Sequence, residues 1–225
     1  MYIVHHLNNS RSERIVWLLE LVSADYQIKA YKRNAKTSLA PRELQQIHAL
    51  GRSPVLQDGE RIVAESGTIA EYILQQTPNE ALLPATDHKD YIDIQYWAHF
   101  SEGSFMPSLV ANMVLRKAKQ KSKPIIIKQI ANKVIDAIVD AYFGPNMQQN
   151  LNYVEDHLKA KSYFVGDQLS LADVHMSFPL HALYKAEMLG NYPNMQAYVK
   201  RIMDLPSFQQ ASSKIAQAES ELSSD

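Results

Sequence analysis

Residues 51–67 read GRSPVLQDGERIVAESG, and the fold turns on them. Gly51-Arg52-Ser53-Pro54 is a turn, and Val55-Leu56 opens a strand. Asp58-Gly59 is a two-residue hairpin signal, because a turn of that kind needs positive φ at its centre. Arg61 to Ala64 is the returning strand, and Glu65-Ser66-Gly67 breaks it. Thr68 to Gln75 is helical, with Ile69, Tyr72 and Ile73 on one apolar side.

Working back from this hairpin, Tyr2 to Leu7 is a short strand of β-formers, ended by Asn8, Asn9 and Ser10. Ile15, Val16, Leu18, Leu19 and Val22 share a helical face, with Glu13, Arg14 and Glu20 off it. Ser10 and Glu13 have capping-box spacing, which starts this helix just after Ser10. Tyr26 to Tyr31 is a second strand. Lys32 to Ser38 is a basic, polar loop, and Pro41 suits the first turn of a helix carrying Glu43, Leu44 and Ile47. The order is βαβαββα in about 76 residues.

Working forward, Thr77 to His88 holds Pro78 and Pro84, has no periodicity and reads as a linker. Everything after it is helical: Tyr91 to Phe105, Pro124 to Phe143, Met147 to Leu158, a helix opened by the capping-box pair Ser170 and Asp173, and Pro193 to Met203. Ala211 to Asp225 is polar and is expected to fray. The division is therefore residues 1–80, an α/β unit, and residues 89–225, an all-α unit.

Composition narrows the function. The chain has 225 residues, 46% hydrophobic and 21% charged, enough for a core and not disordered in bulk. Twenty-three basic against 24 acidic side chains give a net charge of -1, no footprint for nucleic acid or an anionic membrane. No apolar run reaches the roughly 18 residues that span a bilayer. The N-terminus, interrupted by Arg11, Glu13 and Arg14, reads as mature fold, not as a signal peptide. There is no cysteine, which rules out disulfides, thiolate metal sites and a cysteine nucleophile. Any thiol chemistry needs a thiol brought by the substrate. This is compatible with the cytosol, and a cytoplasmic location is expected.

Taken together, HHLNNSRSERIVWLLEL, HALGRSPVL, ESGTIAEYI and SLADV, in this order and spacing, resemble the glutathione transferase family, in its bacterial and fungal branch. The resemblance covers nearly the whole chain. It implies a thioredoxin-like N-terminal domain followed by an all-helical C-terminal domain. It also implies glutathione as co-substrate with no other cofactor and no metal, a homodimer, and thiolate attack on a small apolar electrophile. The missing cysteine argues against the omega-type, beta-type and glutaredoxin-like subfamilies. Two alternatives share the fold: a glutathione-dependent peroxidase, and a non-catalytic ligand-binding member.

The chemistry asks for a thiolate at neutral pH. A free thiol ionises at about 8.5, so lowering this by about two units means stabilising the anion by roughly 2.7 kcal/mol. A hydroxyl donor with a helix N-terminus supplies that much. The resemblance puts Ser10 at the strand-helix turn as this donor, with Asn9 as the rival; Ser10 serving only as a cap is the bland alternative. Ser12 reads as a solvent residue of the first turn, and the His5-His6 pair as packing. Tyrosine serves in other branches, but Leu7 and Asn8 stand in that neighbourhood here.

For glutathione itself, the resemblance implies a cis bond at Ser53-Pro54, whose exposed backbone pairs with the cysteinyl amide. Glu65 and Ser66, at a helix N-terminus, are implied for the γ-glutamyl group. Arg52, Lys36 and His48 are candidates for the glycyl carboxylate, and each is otherwise an ordinary surface residue. Tyr96, Phe100, Phe105, Met106 and Met113 are candidates for the electrophile wall, against the commoner reading of an aromatic stripe as core.

Overall fold

A computed structural model describes residues 1–121 and 125–222, with side chains given outside 120–127. Pro124, taken from sequence as a helix start, and the SSD end at 223–225 lie outside the described residues.

The first unit is a four-stranded sheet in the order β2-β1-β3-β4. Its strands are β1 (Tyr2–Leu7), β2 (Tyr26–Tyr31), β3 (Val55–Asp58) and β4 (Arg61–Ala64). β1 runs parallel to β2 and antiparallel to β3, and β3-β4 is a hairpin in which Asp58 pairs with Arg61, so that its two-residue loop is Gly59-Glu60, one position later than the Asp58-Gly59 signal indicates. The helices are α1 (Ser12–Leu21), the short α2 (Glu43–Ile47) and α3 (Ser66–Gln76). This is the thioredoxin-like N-terminal domain.

The helical domain holds α4 (Tyr91–Phe100), α5 (Met106–Lys121), α6 (Ile125–Ile138), α7 (Gly144–Leu158), α8 (Leu171–Lys185), α9 (Pro193–Met203) and α10 (Pro206–Glu221). Two single π-helical turns, Ser101–Phe105 and Val139–Phe143, interrupt the run. After each, one residue on, stands a proline, Pro107 or Pro145, which has no N–H to continue the ladder. Residues that read as one helix, 91–105, thus reach α5 through a widened turn.

The core is continuous across both domains: Ile15, Leu18 and Leu19 of α1 join Leu56, Ile69 and Ile73 on one side and Val174, Leu180 and Tyr198 on the other. The Ser170–Asp173 capping box forms as its spacing indicates. Asp173 is fully buried and accepts from Ser170 N and Oγ, Phe164 N and Tyr198 Oη at 2.9–3.1 Å. Burial pushes its carboxyl up to about 6 against the pull of these donors.

Three local expectations are corrected. The box at Ser10 and Glu13 is not formed: α1 begins at Ser12 with Arg11 at its N-cap and no side-chain cap. The Ser10 hydroxyl turns instead toward Ser12 and Ser53. Ser12 and Arg14, read as solvent-facing, are fully buried. The C-terminal stretch from Ala211 is helix through Glu221, because Phe208, Ala211 and Ile215 sit at helical spacing and pack on the core. α10 thereby lies on α1 and β2.

Candidate functional site

The end of β1 and the loop that follows carry the site. Asn9 sits at φ 52, a left-handed conformation that asparagine tolerates better than most residues. Arg33 holds this loop from below. Its backbone N–H donates to Asn8 Oδ1 at 2.8 Å, its Nε to the Asn8 carbonyl at 3.0 Å and its Nη1 to the Ser38 carbonyl at 3.2 Å. The loop presents Ser10, buried, at the start of the turn into α1, while the Asn9 side chain is exposed.

The neighbouring loop arrives through a cis Ser53-Pro54 bond. Gly51 makes the approach at φ 56, and a Cβ there would meet Gln45 Cγ at 2.6 Å. The Ser53 hydroxyl donates to the His5 carbonyl at 2.8 Å and accepts from Leu7 N at 3.1 Å, which pins this loop to the end of β1. Ser10 Oγ lies 3.2 Å from Ser53 Oγ. The donor candidate and the cis peptide are thus in contact.

The third piece is the N-terminus of α3. Glu65 holds φ 68 and ψ 122, a strained conformation for any residue but glycine, and no side chain caps the helix. The free N–H groups and the helix dipole make this an anion-attracting end. Ser66, buried there, accepts a hydrogen bond from Arg14 Nη2 at 2.5 Å. A guanidinium only donates, so the proton of Ser66 remains available to a ligand. Arg14 also donates to the His175 carbonyl of α8 at 2.9 Å and pairs with Glu102, which Arg11 Nε reaches at 2.8 Å. Burial, with a lesser push from the charge of Arg11, depresses the Arg14 guanidinium, and Glu102 opposes that shift.

The structure brings Ser10, Ser53, Pro54 and Ser66 to one end of the sheet's strands, with Glu65 exposed beside them. Arg52 and Lys36 are exposed, and His48 is half-buried at the C-terminus of α2, its Nδ1 accepting from Leu50 N at 3.4 Å. The residues proposed for an electrophile wall are dispersed. Phe105 and Met106 are buried in the core. Phe100 stacks between Tyr96 and Phe105 at 6.0 Å from each. Tyr96 donates to Tyr153 Oη at 3.0 Å and lines a separate cleft with Asp93, Trp97 and His157. Met113 is exposed on α5.

A cleft of about 200 Å³ between α1, α8 and α10 shares Asn9 and Arg14 with the site but not Ser53 or Ser66. Besides Arg14, its titratable lining is Glu13, His181, Lys185 and Glu219. Burial pushes the Glu13 carboxyl up and the His181 imidazole down to about 4. Among the described residues no group of three His, Asp or Glu is placed to hold a metal, and no helix is long and apolar enough to cross a membrane.

Sequence reasoning missed Arg14, Arg33 and Glu102. A charged residue carries no local sign of the distant groups that will hold it, and each of these reaches residues 24 or more positions away in the chain.

The profile described as the glutathione S-transferase N-terminal domain matches residues 1–75, and the profile of the C-terminal domain matches residues 130–206. "Glutathione S-transferase 1" of Saccharomyces cerevisiae is 37% identical over 214 residues, covering 91% of each chain. The chain belongs to the glutathione S-transferase family. Within that family it is also 32% identical to "Glutathione S-transferase 3" of Schizosaccharomyces pombe, over 96% of this chain and 88% of the relative. The crystal structure of a glutathione S-transferase from Actinobacillus pleuropneumoniae superposes with a TM-score of 0.77 at 33% identity, covering 95% of this chain and 92% of that one. Glutathione is the substrate that such relatives use.

Proposed function

We propose that this member of the family joins glutathione to small apolar electrophiles by attack of the glutathione thiolate, with Ser10 facing the sulfur. The observation that carries the reading is the 3.2 Å contact between Ser10 Oγ and Ser53 Oγ at the cis Ser53-Pro54 bond. A peptide paired along the Ser53 backbone brings its sulfur to Ser10. The γ-glutamyl carboxylate then goes to Ser66 and the uncapped end of α3, with Glu65 near the amino group. Arg52, Lys36 and His48 border the loops that would receive the glycyl end. Holding the thiolate and a second substrate side by side supplies rate through proximity and fixed electrostatics. Of the candidates for the wall of that second substrate, exposed Met113 on α5 offers apolar surface, whereas Phe105 and Met106 belong to the core and Tyr96 faces a separate cleft.

A homodimer is part of the same reading. Val110, Met113 and Val114 on α5 and Ile130, Val134 and Ile138 on α6 are exposed, apolar area of the kind that a two-fold contact covers.

Retention on immobilised glutathione, followed by turnover of a chromogenic aryl halide, tests the function. The expected result is binding and turnover in the wild type, and in Ser10→Ala binding with turnover reduced at least about tenfold, a change of 1.4 kcal/mol in the barrier. Full activity in Ser10→Ala with loss in Asn9→Ala transfers the role to Asn9. Binding without turnover of aryl halides or hydroperoxides by the wild type leaves a ligand-binding protein.

A further inference from the structure

Ser10 is the first of a row of buried groups that ends on α10. Ser10 Oγ lies 2.7 Å from Ser12 Oγ, Ser12 Oγ lies 2.8 Å from His6 Nδ1, and His6 Nε2 lies 3.0 Å from Glu219 Oε1. His6 and Ser12 have no exposed surface, while the Glu219 side chain is 39% exposed.

The ends of the row fix the direction of its hydrogen bonds. An ionised carboxylate only accepts, so His6 Nε2–H donates to Glu219. A neutral imidazole has one N–H, so Nδ1 presents a lone pair and accepts from the Ser12 hydroxyl. Ser12 has no second proton, so Ser10 donates to Ser12. Ser53 supplies nothing to Ser10, because its own proton lies on the His5 carbonyl. Burial keeps His6 below the ordinary imidazole range, with Glu219 working in the opposite sense, which suits a neutral ring at rest. In this state Ser10 turns a lone pair, not a proton, toward the site. It is set to take a proton from a thiol, and it cannot hold a thiolate until the row reverses.

We propose that His6 is the acceptor of the glutathione thiol proton, reached through Ser10 and Ser12, and that Glu219 holds the resulting imidazolium. The proposal rests on the reading of Ser10 as the group that faces the sulfur. The S–H bond breaks and its proton goes to Ser10 Oγ, as the Ser10 proton passes to Ser12 and the Ser12 proton to His6 Nδ1. A neutral thiol and a neutral imidazole become a thiolate and an imidazolium, and Glu219 keeps its charge. Every hydrogen bond between Ser10 and His6 now points the other way, and Ser10 O–H donates to the sulfur anion. Once sulfur has bonded to the electrophile, the row gives the proton to the departing or developing anion or to water, and His6 is neutral again. His6 and Ser12 act through Ser10 and are positioning residues. Other charged or titratable groups around the row are Glu13 and Arg14 of α1 and His181 and Lys185 of α8, which share the cleft with Glu219; the ring of His5 turns away, to Tyr31 and Gln57.

The test is the ultraviolet absorbance of the thiolate of glutathione bound to the full chain, followed against pH. Ser12→Ala and Glu219→Gln are each expected to raise the apparent pKa of the bound thiol by about one unit, a tenfold loss of thiolate at a given pH. Affinity for S-methylglutathione, which has no thiol proton, should stay within about twofold of wild type. Ser12→Thr, which keeps the hydroxyl, should restore the thiol pKa. The double variant should be no worse than Ser12→Ala, since the two residues act in one row. If Ser12→Ala and Glu219→Gln keep the wild-type pKa while Ser10→Ala raises it, the relay is wrong and Ser10 acts alone. If Ser10→Ala leaves the pKa unchanged, the reading of Ser10 falls and the relay falls with it. Should Ser12→Ala not fold, Glu219→Gln, at a partly exposed position, decides the matter.

Discussion

Replacing Arg14 by methionine should weaken glutathione binding more than it weakens the fold. Three hydrogen-bonded neighbours lose a donor, but none is stranded. The His175 carbonyl keeps the Ser101 hydroxyl at 3.0 Å, Glu102 keeps Arg11, and Ser66 still has a proton to give. Removing a buried charge also returns part of its desolvation cost. The net loss of stability should be about 1–2 kcal/mol, or about 3–6 °C in Tm for a chain of this size. Binding responds differently. A carboxylate accepting from Ser66 at about 2.7 Å stands about 5 Å from the guanidinium that donates to the same oxygen. At an effective dielectric of about 20, that attraction is about 3 kcal/mol. Glu102 offsets part of it, leaving about 2 kcal/mol, or roughly thirtyfold in Kd. Titration calorimetry with glutathione and urea unfolding on the same sample give both numbers, and Glu102→Gln should leave affinity unchanged or tighter. A folded Arg14→Met variant that binds glutathione within about twofold of wild type refutes the placement of the γ-glutamyl carboxylate.

Asp173→Ala removes the acceptor for Phe164 N, Ser170 N and Tyr198 Oη at once, and should lower stability by about 3–5 kcal/mol, seen as a Tm drop of about 10 °C; a drop under about 2 °C contradicts it. Gly51→Ala should cost about 1–2 kcal/mol from its positive φ alone and disturb the Ser53-Pro54 loop, so unfolding and glutathione affinity should both change. The folded pKa of His181 is depressed to about 4 from an ordinary value of 6.5, so its contribution to stability is fully present above pH 6.5 and is lost as pH falls from there toward 4. His181→Asn should therefore show a shallower fall in stability over that window than wild type, measured by urea unfolding at a series of pH values; parallel curves would remove His181 from the account.

The βαβαββα order was legible because its signals are local. Asp58-Gly59 fixes a hairpin, Ser170 and Asp173 stand at capping distance, and α1 repeats its apolar face every turn. Ser10, Ser53 and Ser66 were singled out by resemblance, and they stand at one end of the sheet's strands. What stayed hidden depends on distant parts of the chain. Arg14 reads as a surface residue until Glu102 and the His175 carbonyl arrive to satisfy it. His6 is an unremarkable strand residue until Ser12 and Glu219 flank its ring. The C-terminal helix was concealed by its own polarity: from residue 211 on, Ala211 and Ile215 make a narrow apolar stripe in a stretch rich in Ser, Gln and Glu, which composition alone reads as frayed.

The Arg14 bridge bears on how members of this family exchange parts. Ser66 and Arg14 belong to the thioredoxin-like half, whereas Glu102 and the His175 carbonyl belong to the helical half. A chimera that grafts this N-terminal half onto another helical half inherits a buried cation without its counter-ion unless an acidic residue comes with it at the place of Glu102. Recombination at the linker is then selective. Partners that carry the acid meet the charge requirement and have only the shared core to match, and the others begin with a destabilised ligand-binding site that further substitutions must repair. The seam between the halves is permissive in its connecting chain and restrictive in its electrostatics, so divergence of the two halves is coupled at this contact as well as through their shared apolar core.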